Sequence, residues 1–206
     1  MKIHRYGTSF TIHTPSGTIN ISLPFLGYQS ISNVLAATAL AFSINIPLKK
    51  IKNGLLKTPI VSGRLELIQL KPHKILINDT YNANVSSMIA AIKVLENMPK
   101  YKILVTGDMS ELGEKSILYH KMIGNIANLS NIDEILTIGN RSYEISKTFN
   151  NGKHFFTKEK LNKYLKKIFF EREKITILVK GSRNAKMEKI VQNLIKESQE
   201  HVNLVV

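Results

Sequence analysis

Cysteine is absent from the 206 residues, which excludes disulfides and thiolate metal sites and fits a reducing compartment. No apolar run is long enough to span a bilayer, and the first residues lack the pattern of a secretory signal. Nowhere does the chain read G-x-x-x-x-G-K-[ST] or G-x-G-x-x-G, the loops whose backbone N–H groups cradle nucleotide phosphates. A nucleophile elbow is missing too. His4, His13, His73, His120, His154 and His201 fall at no metal-ligand spacing. Repeats and low-complexity segments are also lacking. A soluble cytoplasmic protein is the expectation these gaps leave.

Acidic residues are scarce. Fifteen Asp and Glu stand against 29 Lys and Arg, for a net charge of +14. Such a balance suits a nucleic-acid binder only if the cations cluster. Here they are scattered over Lys49–Lys57, Lys71–Lys74, Lys158–Lys167 and Lys186–Lys196, mostly on expected helices. Abundant Ile and Asn beside the Lys match AT-biased coding. Solvated helix faces are the preferred reading, with a basic nucleic-acid-binding module as the minor alternative.

With 43% hydrophobic and 21% charged residues, the chain has the composition of a globular protein with a real core. Residues 1–24 alternate in the manner of strands around a Pro15-Ser16-Gly17 turn. Ser30–Phe42 reads as a helix rich in small residues, and Pro47–Leu56 as a second, short helix. Lys57–Gly63 reads as a linker and marks the expected domain boundary. Beyond it, strands expected at Leu65–Leu70, Ile75–Asn78, Lys102–Thr106, Glu134–Ile138, His154–Phe156 and Ile175–Val179 alternate with amphipathic helices. Their apolar stripes are Met88/Ala91/Ile92/Leu95, Leu118/Met122/Ile126/Leu129 and Met187/Ile190/Val191/Leu194. The expected class is α/β, a Rossmann-like, mostly parallel sheet flanked by helices and preceded by a β-hairpin-plus-helices segment.

Ligands of open α/β sheets sit beyond the carboxyl ends of the strands. Four such ends are polar here: Asp79-Thr80-Tyr81-Asn82-Ala83-Asn84, Gly107-Asp108-Met109-Ser110-Glu111-Leu112-Gly113, Gly139-Asn140-Arg141 and Lys180-Gly181-Ser182-Arg183. Each has a plain alternative. Asp79 and Asn82 suit an Asx-turn that caps a helix, Asp108 an ordinary turn, Ser182 a helix N-cap, and Arg64 a solvated surface. Lys180, Ser182 and Arg183 before a helix would also make an anion site.

Taken in order, Gly63-Arg64-Leu65, Asn78-Asp79-Thr80-Tyr81-Asn82-Ala83-Asn84 with Ser87-Met88, the Gly107–Gly113 loop and Val179-Lys180-Gly181-Ser182-Arg183 resemble the Mur ligases. Within that family they resemble the branch that joins D-alanyl-D-alanine to UDP-N-acetylmuramoyl-tripeptide. The resemblance covers essentially the whole chain. It implies that residues 1–60 are the tail of a central ATPase domain and 61–206 a C-terminal Rossmann-like domain. It also implies an ATP- and Mg²⁺-dependent ligation through an acyl phosphate, with the metal ligands in a part not represented here. By the same resemblance Arg64 and Lys180 act in catalysis, and Asn33, Arg64 and Asp79 bind ATP at adenine, γ-phosphate and ribose. Asn82, Asp108, Glu111, Ser182 and Arg183 line the acceptor side. Where the family reads Gly-x-His-Asn, this chain has Gly27-Tyr28-Gln29-Ser30. Two outcomes stay open: completion by a separately encoded N-terminal portion, or a folded, inactive remnant.

The scattered cations generate a direct prediction. No steeply salt-dependent RNA binding is expected at near-physiological salt, and its observation in a filter-binding titration would instead mark a nucleic-acid site.

Overall fold

The computed structural model describes residues 2–4 and 7–200. Met1, residues 5–6 of the expected β segment, and His201 lie outside the described residues. The chain divides into two compact units, Met1–Val61 and Ser62–Val206.

The first unit is a three-stranded antiparallel sheet with two helices. Strands β1 (Lys2–His4), β2 (Gly7–Thr14) and β3 (Gly17–Leu23) lie in that order. Thr14 pairs with Gly17 across the Pro15-Ser16 turn, where Gly17 takes a φ of 121° that side chains resist. Alternation places Phe10, Ile12, Ile21 and Leu23 on one face, over Val34 of helix α1 (Tyr28–Ser43). Helix α2 (Leu48–Leu56) starts after Pro47 and buries Ile51.

The second unit is a six-stranded sheet in the order β4-β5-β9-β6-β7-β8. Its strands are β4 (Glu66–Lys71), β5 (Lys74–Asp79), β6 (Tyr101–Thr106), β7 (Glu134–Ile138), β8 (Gly152–Phe155) and β9 (Ile175–Lys180). From β5 to β8 all neighbours are parallel. Only β4 runs antiparallel, because the Pro72-His73 turn is too short for a crossover. Helices α3 (Val85–Glu96), α4 (Ser116–Asn128), α5 (Tyr143–Thr148), α6 (Lys158–Glu171) and α7 (Glu188–Glu200) supply the connections and flanks. The central strands are buried along nearly their whole length, as sheets covered on both faces require. No helix is long and apolar enough among the described residues to cross a membrane.

The stripes expected on α3 and α7 are the buried faces of those helices. The stripe expected on α4 is not. His120, Ile123, Gly124 and Ala127 face inward there, while Leu118 and Leu129 are exposed, Leu129 at 88%. The cause is close approach to α5: a Cβ on Gly124 would stand 2.7 Å from Thr148 Cβ and 2.8 Å from the Ile145 carbonyl oxygen. At that contact only a residue without a side chain fits, so the helix turns its Gly124 face inward and leaves Leu118 and Leu129 outside.

Gly124→Ala is therefore expected to destabilise the protein by about 1–3 kcal/mol through overpacking, despite the better helix propensity of alanine. Urea denaturation measures it, and a gain in stability would contradict the close approach.

Candidate functional site

Strand β9 is last in sequence but lies between β5 and β6, so the loops leaving these strands emerge side by side. The ends are flush: Asp79 pairs with Lys180, and Lys180 with Thr106. Residues at one level of parallel strands share a face. That register brings Lys180 Nζ to 2.6 Å from Asp79 Oδ2, and the same ammonium donates to the Asn82 carbonyl at 2.9 Å. Lys180 is only 2% exposed. Its hydrogen bonds among the described residues go to Asp79 and Asn82, and they hold the loop that follows β5.

The other oxygen of Asp79 accepts from the Leu65 N–H at 3.1 Å. One carboxylate thus joins the segment after Gly63 to the end of β9. Glu66 reinforces the same junction. Its Oε2 accepts from Ser62 Oγ at 2.7 Å, Asn78 Nδ2 at 2.9 Å and the Gly63 N–H at 3.2 Å. The Tyr81 N–H donates to the Gly63 carbonyl at 3.0 Å, and the Arg64 guanidinium lies 4.1 Å over the Tyr81 ring.

On the other side of β9, Gly107 N–H donates to the Lys180 carbonyl and Ser182 N–H to the Asp108 carbonyl, each at 3.0 Å. Asp108 Oδ1 accepts from the N–H groups of Ser142 at 2.7 Å and Arg141 at 3.0 Å. Gly139 makes this possible, since a Cβ there would fall 2.4 Å from that oxygen. His120 anchors the loop from below: its Nε2 accepts from Met109 N–H at 3.1 Å, and its Nδ1–H donates to the Ser116 carbonyl at 2.7 Å.

The structure therefore brings Arg64, Asp79, Asn82, Asp108, Lys180 and Ser182 into one connected network. Glu111, at φ 61°, and Arg183 are exposed, and their side chains make no hydrogen bond or ion pair among the described residues. Asn33 is an exposed residue of α1 in the first unit.

Two local expectations need correction. The cap of α3 is Asn84, in a reciprocal box with Ser87, rather than Asp79 or Asn82; those two are committed to Lys180 and Leu65 and to the Ala83 N–H. Nor does a helix begin at Ser182. A 3-10 turn at Arg183–Ala185 intervenes, Lys186 turns left-handed at φ 48°, and α7 starts at Glu188. Lys158 of α6 fixes this detour by donating to the carbonyls of Ala185 and Lys186 at 2.7 and 2.9 Å. No α-helix N-terminus therefore lies at Ser182 and Arg183 to attract an anion through its dipole.

His154, at the end of β8, was not singled out by the sequence. Its Nδ1–H donates to Thr137 Oγ1 at 2.9 Å, which donates to Ser146 Oγ, also at 2.9 Å. The ring meets Tyr143 and Phe156 edge-on. Burial lowers its pKa, against an opposing pull from Asp108. Glu66 was likewise missed, because its partner Asn78 is set by strand register rather than by spacing.

These features define a class: an α/β domain with a polar cradle where three parallel strands end. A family model described as Mur ligase, glutamate ligase domain, matches residues 63–183, and the chain belongs to the Mur ligase family. It is 70% identical over 199 residues to the UDP-N-acetylmuramoyl-tripeptide–D-alanyl-D-alanine ligase of Buchnera aphidicola subsp. Acyrthosiphon pisum, covering 97% of this chain and 44% of that protein. It is 46% identical over 189 residues to the ligase of the same name from Escherichia coli, covering 92% of this chain and 42% of that protein. A crystal structure of MurF from Acinetobacter baumannii superposes with a TM-score of 0.87 at 32% identity, covering 95% of this chain and 43% of that one. The chain thus spans less than half the length of these relatives.

Two predictions follow from the geometry. Lys180→Met leaves a buried carboxylate without its counterion and is expected to cost about 3–5 kcal/mol in urea denaturation, much less in an Asp79→Asn background. A loss of under about 1 kcal/mol would place the pair among exposed ones. For His154 the lowered folded pKa means that the unfolded state binds more protons, so its contribution is present above about pH 6.5 and is lost as pH falls through the folded pKa. The urea midpoint of the native chain should therefore drop more steeply from pH 7 to 5 than that of His154→Asn; equal slopes would contradict this.

Proposed function

We propose that this chain supplies the C-terminal part of a cytoplasmic, ATP-dependent ligase that joins D-alanyl-D-alanine to UDP-N-acetylmuramoyl-tripeptide. Residues 1–60 belong to its central ATPase domain and residues 61–206 form its C-terminal domain. The observation that carries this reading is the flush register of β5, β9 and β6. It gathers into one cradle the Asp79–Asn84, Lys180–Arg183 and Gly107–Gly113 loops that resemble this branch of the family. The 70% identity to a relative of that name supports it.

When bound, ATP would supply the phosphoryl group that activates the tripeptide carboxylate as an acyl phosphate, leaving ADP; attack by the dipeptide amine then expels inorganic phosphate as the amide forms. Arg64, which has no carboxylate partner among the described residues, neutralises charge on the γ-phosphate. Asp79 accepts from the ribose hydroxyls through lone pairs left free beside Leu65 and Lys180. Lys180 keeps that carboxylate and Asn82 in place. Asn82, Glu111 and Arg183 offer exposed polar groups to the acceptor, over a floor formed by Asp108 and Ser182. Asn33 contributes to the adenine site. Among the described residues no cluster of three His, Asp or Glu is placed to hold a metal. The family resemblance, and not that lack, assigns the magnesium ligands to the part of the relatives that this chain does not span.

A second reading, a folded but inactive remnant, is favoured by one feature. Ser30 of the Gly27-Tyr28-Gln29-Ser30 segment spends its hydroxyl on the Leu26 carbonyl at 2.9 Å, and α1 has no side-chain cap.

One experiment separates the readings. This chain is joined in frame to the N-terminal portion of the Buchnera relative, and phosphate release is measured. Release requiring ATP, UDP-N-acetylmuramoyl-tripeptide and D-alanyl-D-alanine is expected, falling on the order of 10²–10³-fold in Arg64→Ala, as for loss of a charge-stabilising donor. A folded but silent chimera would contradict the ligase reading. Activity restored by Gln29→His with Ser30→Asn would support the remnant.

A further inference from the structure

We propose that Tyr81 is a positioning residue for Arg64: its ring is a shelf that holds the guanidinium ready for an anion. The proposal rests on the reading of Arg64 as the phosphate contact.

Arg64 sits on a short hook bracketed by two left-handed residues, Gly63 at φ 79° and Leu65 at φ 49°. Both ends of the hook are pinned to the loop after β5. The Gly63 carbonyl accepts from Tyr81 N–H at 3.0 Å, and the Leu65 N–H donates to Asp79 at 3.1 Å. The backbone of Arg64 is therefore fixed, whereas its long side chain keeps its rotamer freedom unless something holds it. Tyr81 supplies that restraint. The guanidinium carbon lies 4.1 Å from the ring centroid, within cation–π range.

The chemistry of this arrangement favours an anion partner. A carboxylate pairing with Arg64 would occupy the N–H fork, whereas a ring occupies only the flat face. Stacking thus orders the side chain and leaves its donors available to a phosphate. Ordering before binding lowers the entropy lost on binding. Tyr81 is itself 49% exposed, and the backbone N–H it gives to Gly63 does not depend on the ring. Its side chain is thus more useful to Arg64 than to the core.

The consequence is specific to the pair. In the active chimera, Tyr81→Leu is expected to lower kcat/KM for ATP by roughly two- to fivefold, the size of an exposed cation–π contact. Tyr81→Phe keeps the ring and is expected to retain activity. Because Tyr81 acts through Arg64, Tyr81→Leu should have no further effect in an Arg64→Ala background. Additive losses, or a Tyr81→Phe as impaired as Tyr81→Leu, would overturn the proposal.

A second measurement on the isolated chain does not depend on ligase activity. Ring currents should move the Arg64 side-chain proton resonances upfield in the native chain and in Tyr81→Phe, and release them in Tyr81→Leu. Unchanged Arg64 resonances, with melting curves that show all three proteins folded, would overturn the proposal even if the chimera were active. A silent chimera with the expected resonance shifts would instead count against the ligase reading and leave the shelf standing.

Discussion

The buried ion pair between Asp79 and Lys180 is the interaction on which the cradle depends. Burying a lysine this fully is costly unless its charge is matched and its remaining protons are bonded. The register of β5 and β9 matches the charge by setting the two residues opposite each other, and the Asn82 carbonyl accepts from a second of the three ammonium protons. The pair then does more than neutralise itself. Through its second oxygen Asp79 fixes Leu65, and through its backbone Lys180 fixes Gly107. Segments distant in sequence, at residues 62–66, 79–82, 107–108 and 180–182, are held as one body.

That economy explains how the site divides its labour. The buried groups, Asp79, Lys180 and Ser182, set geometry; the exposed ones, Arg64, Asn82, Glu111 and Arg183, remain available to ligands. Asp108 stands between these roles, with one oxygen committed to the loop before α5. The Mur ligase chemistry proposed here asks for this separation, since phosphoryl transfer relies on charges held in place beforehand.

Much of the sheet could be read from the sequence because its causes are local. Buried apolar runs such as Ile175–Val179 alternate with helices whose stripes, Met88 to Leu95 and Met187 to Leu194, repeat at helical spacing. The inward face of α4 could not be read, since Gly124 carries no hydrophobic signal and its value lies in the closeness of Thr148. The start of α7 was misplaced for a similar reason: Lys158, far away in sequence, supports the detour through Lys186. Of the candidate site, the motif residues were visible through resemblance. Glu66, His120 and His154, and the stacking of Tyr81 on Arg64, were not, because each is defined by a partner that only the fold brings near.

Native-state hydrogen exchange tests the central claim most directly, by comparing the native chain with Asp79→Asn. If the ion pair unites the loops, protection at the amides of Leu65, Gly107 and Ser182 falls together in the variant. The amides of β7, outside the cradle, should keep theirs. Loss confined to Leu65, with Gly107 and Ser182 unchanged, would show that the loops are held independently and would contradict the account.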